Sequence, residues 1–194
     1  MAIMRTPGTM RGFTLVELMV TLAVLAILTM VAVPNFRDTI RRSRVSAASN
    51  ALLVDLHYAR AEAINRGQLV SLCPSSNGSS CTAGGVAWEA GWLVYTYPAG
   101  AASANTAYVA GNILLRASDA REGVAIRASR AGVLSFGQQG QLRPGTALSF
   151  VTCMRNGSGG AAENATAVPG AQLALAGSGS LSNKALAAGA ACTP

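Results

Sequence analysis

The sequence predicts an α+β protein in which a long N-terminal helix packs on a small antiparallel β-sheet head. Three observations predict it. The densest apolar block of the chain runs from Phe13 to Val33. Beyond Pro34, apolar residues recur at spacings of three and four as far as Gly67. After Gly67 the pattern changes to short runs of branched and aromatic residues, separated by Gly, Pro, Asn and Ser. The 194 residues hold one domain of ordinary size plus an anchor. The expected division is a leader over 1–12, a helix over 13–67 with halves 13–35 and 36–67, and a β-rich head over 68–194.

The first twelve residues carry Arg5 and Arg11 but no apolar core. An ordinary secretory signal places its apolar core before a small-residue cut. Here the apolar run follows the Arg11-Gly12 pair. It covers about 21 residues, roughly 30 Å as a helix, which matches the hydrocarbon thickness of a bilayer. The span is therefore expected to be retained. Glu17 is its one carboxylate. A charge inside such a span costs on the order of 3 kcal/mol on insertion scales, marks a function, and seeks a cationic partner. A cut after Gly12 would give Phe13 a free amine close to Glu17, and a neighbouring subunit's amine could approach the same carboxylate as subunits stack. The plain alternative is a single-pass anchor that tolerates one glutamate near the interface. The formal net charge is +7. Arg37, Arg41, Arg42 and Arg44 follow the span and read as a membrane-interface anchor rather than a nucleic-acid patch.

Pro34 removes a helical hydrogen bond and is expected to kink or loosen the helix. Beyond it, Ile40, Val45, Ala48, Leu52, Leu56, Ala59 and Ala63 form an apolar stripe, with Arg37, Arg41, Arg42, Asp55, Arg60 and Glu62 as polar positions. Glu62 and Arg66 form a favourable i,i+4 pair, and Gly67 is a helix stop. The whole helix would run about 54 residues, roughly 80 Å. A filament subunit has a use for such length: one half packs in a helical core while the other carries a head. His57, on this helix, reads as a solvated side chain.

Strands are expected at 68–73, 92–97, 112–117, 124–129, 132–136, 147–153 and 171–176. The stretches 98–111 and 156–170 are small-residue loops, candidates for mobility or partner contact. Trp88 and Trp92 read as core packing rather than a binding platform. All four cysteines, Cys73, Cys81, Cys153 and Cys192, follow the span, and none forms a Cys-x-x-Cys pair. With one histidine in the chain, no metal site is expected. An even number beyond a membrane anchor suggests disulfides in an oxidising compartment. Three connectivities are open; Cys73–Cys81 with Cys153–Cys192 is favoured because neighbours close the smallest loops. No nucleophile–histidine–acid set and no phosphate loop is visible, so neither catalysis nor a cofactor is expected.

The string Gly12-Phe13-Thr14-Leu15-Val16-Glu17-Leu18, with Val33-Pro34-Asn35-Phe36 after it, closely resembles the processing site of type IV prepilins and type II secretion pseudopilins. Further on, Ala59-Arg60-Ala61-Glu62-Ala63-Ile64, the Cys73-Pro74 to Cys81 segment and Trp88-Glu89-Ala90-Gly91-Trp92-Leu93-Val94 resemble the subgroup that contains FimT minor pilins and pseudopilin H. The resemblance implies a pilin-like fold. It implies cleavage between Gly12 and Phe13 by a prepilin peptidase, N-methylation of Phe13, a need for Gly12, and an assembly role for Glu17. The implied partners are other pilins or pseudopilins, met through the N-terminal helix. The implied location is the bacterial inner membrane, single-pass, with the head in the periplasm and the subunit incorporated into a pilus or pseudopilus. The basic count, two residues before the span and four after it, points the other way by the positive-inside rule. The cysteines and the resemblance outweigh it. An alternative function is a pilus-borne DNA receptor for natural transformation. Some FimT-like proteins bind DNA through a Gly-Arg-x-Arg stretch. The aligned place here, Gly179-Ser180-Leu181-Ser182-Asn183-Lys184, lacks both arginines. Lys184, Arg143 and Arg155 remain as candidate DNA contacts, and Arg116, Arg121, Arg127 and Arg130 are further cations on the head.

Overall fold

The computed structural model describes residues 12–98, 100, 103–157 and 160–194, without the side chains of residues 31, 34 and 35. Of the expected leader over 1–12, residues 1–11 lie outside the described residues. The chain divides into two compact units, Met1–Asp38 and Thr39–Pro194. One helix, α1 (Leu15–Arg66, 52 residues), contributes to both. It is assigned without a break through Pro34, whose side chain lies outside the described residues.

Both ends of α1 have local chemical causes. Thr14 precedes the first helical residue, and its Oγ1 accepts the Glu17 N–H at 3.2 Å. Thr14-Leu15-Val16-Glu17 is thus an N-capping sequence, and its glutamate lies in the first turn, where the helix end carries partial positive charge. At the other end Gly67 takes φ +59°. The Gln68 N–H reaches back to the Ala63 carbonyl at 3.3 Å and the Gly67 N–H to Ile64 at 3.3 Å. This paired closure needs a left-handed residue, which is why the helix stops at a glycine.

Among the described residues the second unit holds ten strands. The first sheet orders β3 (Ile113–Ser118), β2 (Trp92–Thr96), β1 (Val70–Pro74), β5 (Leu134–Phe136) and β6 (Leu142–Arg143). The second orders β10 (Leu181–Ala185), β9 (Ala171–Leu175), β7 (Leu148–Arg155) and β4 (Val124–Ala128), with β8 (Ala162–Glu163) on β7. Every ladder is antiparallel. The sequence anticipates one sheet, and the structure has two. It also missed β6, β8 and β10: two are only two residues long, and Leu181–Ala185 is polar and almost wholly exposed, so it carries no burial pattern.

The stripe Val45, Ala48, Leu52, Leu56, Ala59 and Ala63 is buried. It joins one core with Val70, Leu72, Trp92 and Val94 of the first sheet and Val124, Ile126, Phe150, Leu173 and Leu175 of the second. Trp88 stacks edge-on to Phe150 at 5.1 Å, and both tryptophans are buried in this core. The opposite face of the first sheet is buried too, around Cys73, Leu93, Tyr95 and Tyr97. Its cover is part of the loop read as mobile. Tyr95 and Tyr97 hydroxyls donate to the Thr106 carbonyl at 2.6 and 2.9 Å, the Asn105 N–H donates to Ser135 Oγ at 2.8 Å, and the Tyr108 N–H meets Cys81 Sγ at 3.2 Å. Burial, with the neighbouring Tyr97, pushes the Tyr95 phenol well above its ordinary value. Disulfides join Cys73 to Cys81 and Cys153 to Cys192.

Asp55 departs from its sequence reading. It looks like one more polar position on the helix, yet it is buried within the apolar stripe. Its carboxylate accepts the Trp92 indole N–H at 2.8 Å, Arg116 Nη1 at 2.9 Å and the Ser118 hydroxyl at 2.6 Å. Arg116 also lies over the Tyr58 ring at 3.8 Å. Asp55 therefore ties α1 to β2 and β3 at once. Asp55→Ala should cost about 2–4 kcal/mol, because it strands a buried indole donor and one partner of an ion pair. Asp55→Asn should lose less, since an amide oxygen still accepts from Trp92. Urea unfolding of the whole chain in micelles, followed by tryptophan fluorescence, checks both values; a loss within about 0.5 kcal/mol for the alanine would remove the tie.

Candidate functional site

The functional features the sequence singles out begin at the helix's first turn. Gly12, Phe13 and Thr14 are non-helical and exposed. Phe13 is 84% exposed, and a Cβ placed on Gly12 would meet nothing within 4 Å. The helix that follows is apolar on every side. Leu15, Val16, Leu18, Met19, Val20 and Leu22 are all exposed, as are Val24, Leu25, Ile27 and Leu28. An all-round apolar helix has no preferred aqueous face. Its two threonines donate inward, Thr21 Oγ1 to the Leu18 carbonyl at 2.8 Å and Thr29 Oγ1 to Ala26 at 2.9 Å, so their hydroxyls are satisfied without water. Glu17 is the one ionisable residue between Phe13 and Val33. Among the described residues no helix is long and apolar enough to cross a membrane.

The basic cluster after the span is partly committed to the head. Arg42 Nε donates to the Ala167 carbonyl. Arg44 Nη1 lies 3.1 Å from where a Cβ on Gly123 would stand. A purely lipid-facing reading of the four arginines therefore omits these two contacts. His57 is exposed on α1.

The candidate DNA contacts are not gathered into one site. Arg155 Nη2 binds Glu89 Oε1 at 2.9 Å, and Arg127 binds the other oxygen of the same carboxylate. Arg116 is held by Asp55. Lys184 is exposed on β10 and level with Gln172, which is level with Val151 of β7. That places it about 10 Å across the sheet from β7, and Arg155 lies roughly 13 Å further along that strand. Arg143 is on β6 of the other sheet. Phosphate recognition needs fixed cations held close together, and these three are dispersed. No group of three or more metal-ligating side chains occurs among the described residues.

The Glu89 clamp is a feature sequence reasoning passed over. The loop that carries it pairs along β4, with the Trp88 N–H on the Ile126 carbonyl at 2.9 Å. Burial pushes the Glu89 carboxyl up, but the Arg127 hydrogen bond and charge, with the backbone N–H groups of Glu89 and Ile126, outweigh it and hold the carboxyl below its ordinary value of 4.5. The only available signal was a Glu between two tryptophans, and its partners lie 38 and 66 residues away.

The comparisons with known proteins fit this architecture. A family model for type II transport protein GspH matches residues 48–179. A model of the prokaryotic N-terminal methylation motif matches residues 9–33. Crystal structures of the type IV minor pilin FimU from Pseudomonas aeruginosa PAO1, in two space groups, superpose with TM-scores of 0.50 and 0.53 at 21% identity. The superpositions cover 74% and 76% of this chain and 98% and 96% of FimU. An N-terminal helix packed on antiparallel sheet is thus the pilin fold, and the class is that of minor pilins and pseudopilins. Within that class the chain belongs to the GspH family of type II transport proteins. Membership implies assembly with other pilins, and the methylation motif implies processing by a peptidase.

Because the folded Glu89 carboxyl titrates below the unfolded value, its stabilisation is fully present above about pH 4.5 and is lost as pH falls through the lower folded value. Glu89→Gln should therefore be less stable than the native chain at neutral pH and should lose less stability on acidification. Urea midpoints measured from pH 7 to pH 3 check this; parallel profiles for the two proteins would remove the clamp's contribution.

Proposed function

We propose that this chain is a minor pilin or pseudopilin subunit that is cut between Gly12 and Phe13, anchored through residues 13–33 with its head in the periplasm, and drawn into a pilus or pseudopilus under the guidance of Glu17. The observation that carries the reading is the apolar N-terminal stretch of the helix, up to Val33, whose sole ionisable group lies in the first turn, directly after an exposed non-helical junction. Glu17 lies in the first helical turn, where the helix end carries partial positive charge. The amine of a processed Phe13 on a neighbouring subunit supplies the counter-charge. Gly12 has no packing duty among the described residues, so a requirement for glycine there belongs to the peptidase. N-methylation of Phe13 accompanies the cut. The two disulfides fit an oxidising compartment. The role is structural rather than catalytic. The dispersed Lys184, Arg143 and Arg155 lend no support to a DNA receptor.

Glu17→Ala should be inserted and cleaved normally yet fall by about ten-fold or more in the sheared fibre fraction, the loss of one charge pair of at least 1.4 kcal/mol. Unchanged incorporation, read by quantitative immunoblot against the major subunit, would exclude the charge-pairing mechanism. Gly12→Leu should leave the leader attached. Intact-mass spectrometry of the membrane form then shows the full-length precursor, whereas the native chain begins at a methylated Phe13. A native mass that includes the first twelve residues would overturn the reading.

A further inference from the structure

A cavity of about 580 Å³ opens at the C-terminal end of α1, lined among others by Arg66, Gln68, Tyr97, Gln138 and Arg143. Three separate pieces of the fold make it. The closure at Gly67 turns the chain away from the helix and leaves Arg66 and Gln68 on one wall. The stretch after β2 brings Tyr97, with Pro98, Gly100 and Ala104 behind it. The β5–β6 hairpin brings Gln138 from its turn and Arg143 from β6.

The two arginines differ in what they have left to give. Arg66 Nε is engaged by Glu62 of the preceding helical turn, so its charge is balanced. Arg143 is exposed, and its side chain has no hydrogen-bond or ion-pair partner among the described residues. Its backbone is nonetheless held, because its carbonyl accepts the Asn105 side-chain amide at 2.7 Å. Gly137 lets the side chain lie close: a Cβ there would stand 3.1 Å from Arg143 Nε and 3.0 Å from the Gln141 amide. The negative end of the α1 dipole opposes an anion here, but the carbonyls of Ala63 and Ile64 that would express it are already bonded to Gln68 and Gly67.

We propose that this cleft receives one carboxylate, from an acidic side chain of a neighbouring fibre subunit, held by the Arg143 guanidinium with the Gln68 and Gln138 amides beside it. The proposal rests on the assembly reading for its partner and names a second contact independent of Glu17. The charge arithmetic selects the ligand. One uncompensated guanidinium in a bounded cleft matches a single carboxylate, which it can grip with two parallel hydrogen bonds. A phosphodiester chain needs a row of fixed cations instead, whereas Arg155 is committed to Glu89 on the other sheet and Arg60 donates to the Gly140 carbonyl.

The test is a titration of the full-length chain in detergent micelles, following the arginine Nε–H signals by nuclear magnetic resonance. The probes are a blocked glutamate with free side-chain carboxylate, its glutamine analogue, and a short single-stranded oligonucleotide. The expected result is a saturable shift of the Arg143 signal with the glutamate alone. Arg143→Gln should abolish the response of the neighbouring cleft signals, and Arg143→Lys, which keeps the charge and loses the fork, should weaken binding about ten-fold. No saturable shift, an equal response to the glutamine analogue, or tighter binding of the oligonucleotide would each overturn the proposal. The titration involves no fibre, so its failure leaves the Glu17 mechanism standing, and failure of the Glu17 experiment leaves this site standing.

Discussion

Neither sheet of the head can close on itself; both close on α1. The inner faces of β1 and β2 and of β4, β7 and β9 all point into a core whose centre is the helical stripe from Val45 to Ala63. On that stripe the small Ala48, Ala59 and Ala63 flank the larger Leu52 and Leu56, and all five are buried. Asp55 sits in the same stripe, and its three donors come from β2 and β3. Apolar packing is tolerant of small slides, whereas a buried carboxylate with three fixed donors is not. Asp55 thus converts a greasy contact into a defined register between helix and first sheet.

The same helix obeys two different physical regimes along its length. Its C-terminal half has one buried face and an exposed face that includes Ser46, Asn50 and His57, as a helix on a globular core requires. Its N-terminal half exposes apolar side chains in every direction and satisfies its threonines internally. Such a segment finds its burial outside its own unit, in lipid or among other helices.

The basic character of the chain also changes meaning once its partners are seen. A formal net charge of +7 suggests a cationic surface. In the structure, Arg116, Arg127 and Arg155 neutralise buried or half-buried carboxylates, and Arg42 and Arg60 cap backbone carbonyls of head loops. These side chains hold loops to helix and sheet.

Much of the plan was legible in the sequence because it rests on short-range patterns. The apolar block, the spacing from Val45 to Ala63, the stop at Gly67 and seven strands each express a period or a cap that a few neighbouring residues determine. The methylation motif over residues 9–33 is likewise local. The division of strands into two sheets, the burial of Asp55, the double-arginine clamp on Glu89 and the loop held over Tyr95 and Tyr97 were not legible. Each depends on groups brought together from tens of residues apart, and no local period encodes which donor will meet which carboxylate. Sequence alone determined where the helix begins, ends and turns from all-round apolar to one-sided. Only the tertiary structure decided which of its polar residues are buried, because that depends on what packs across from them.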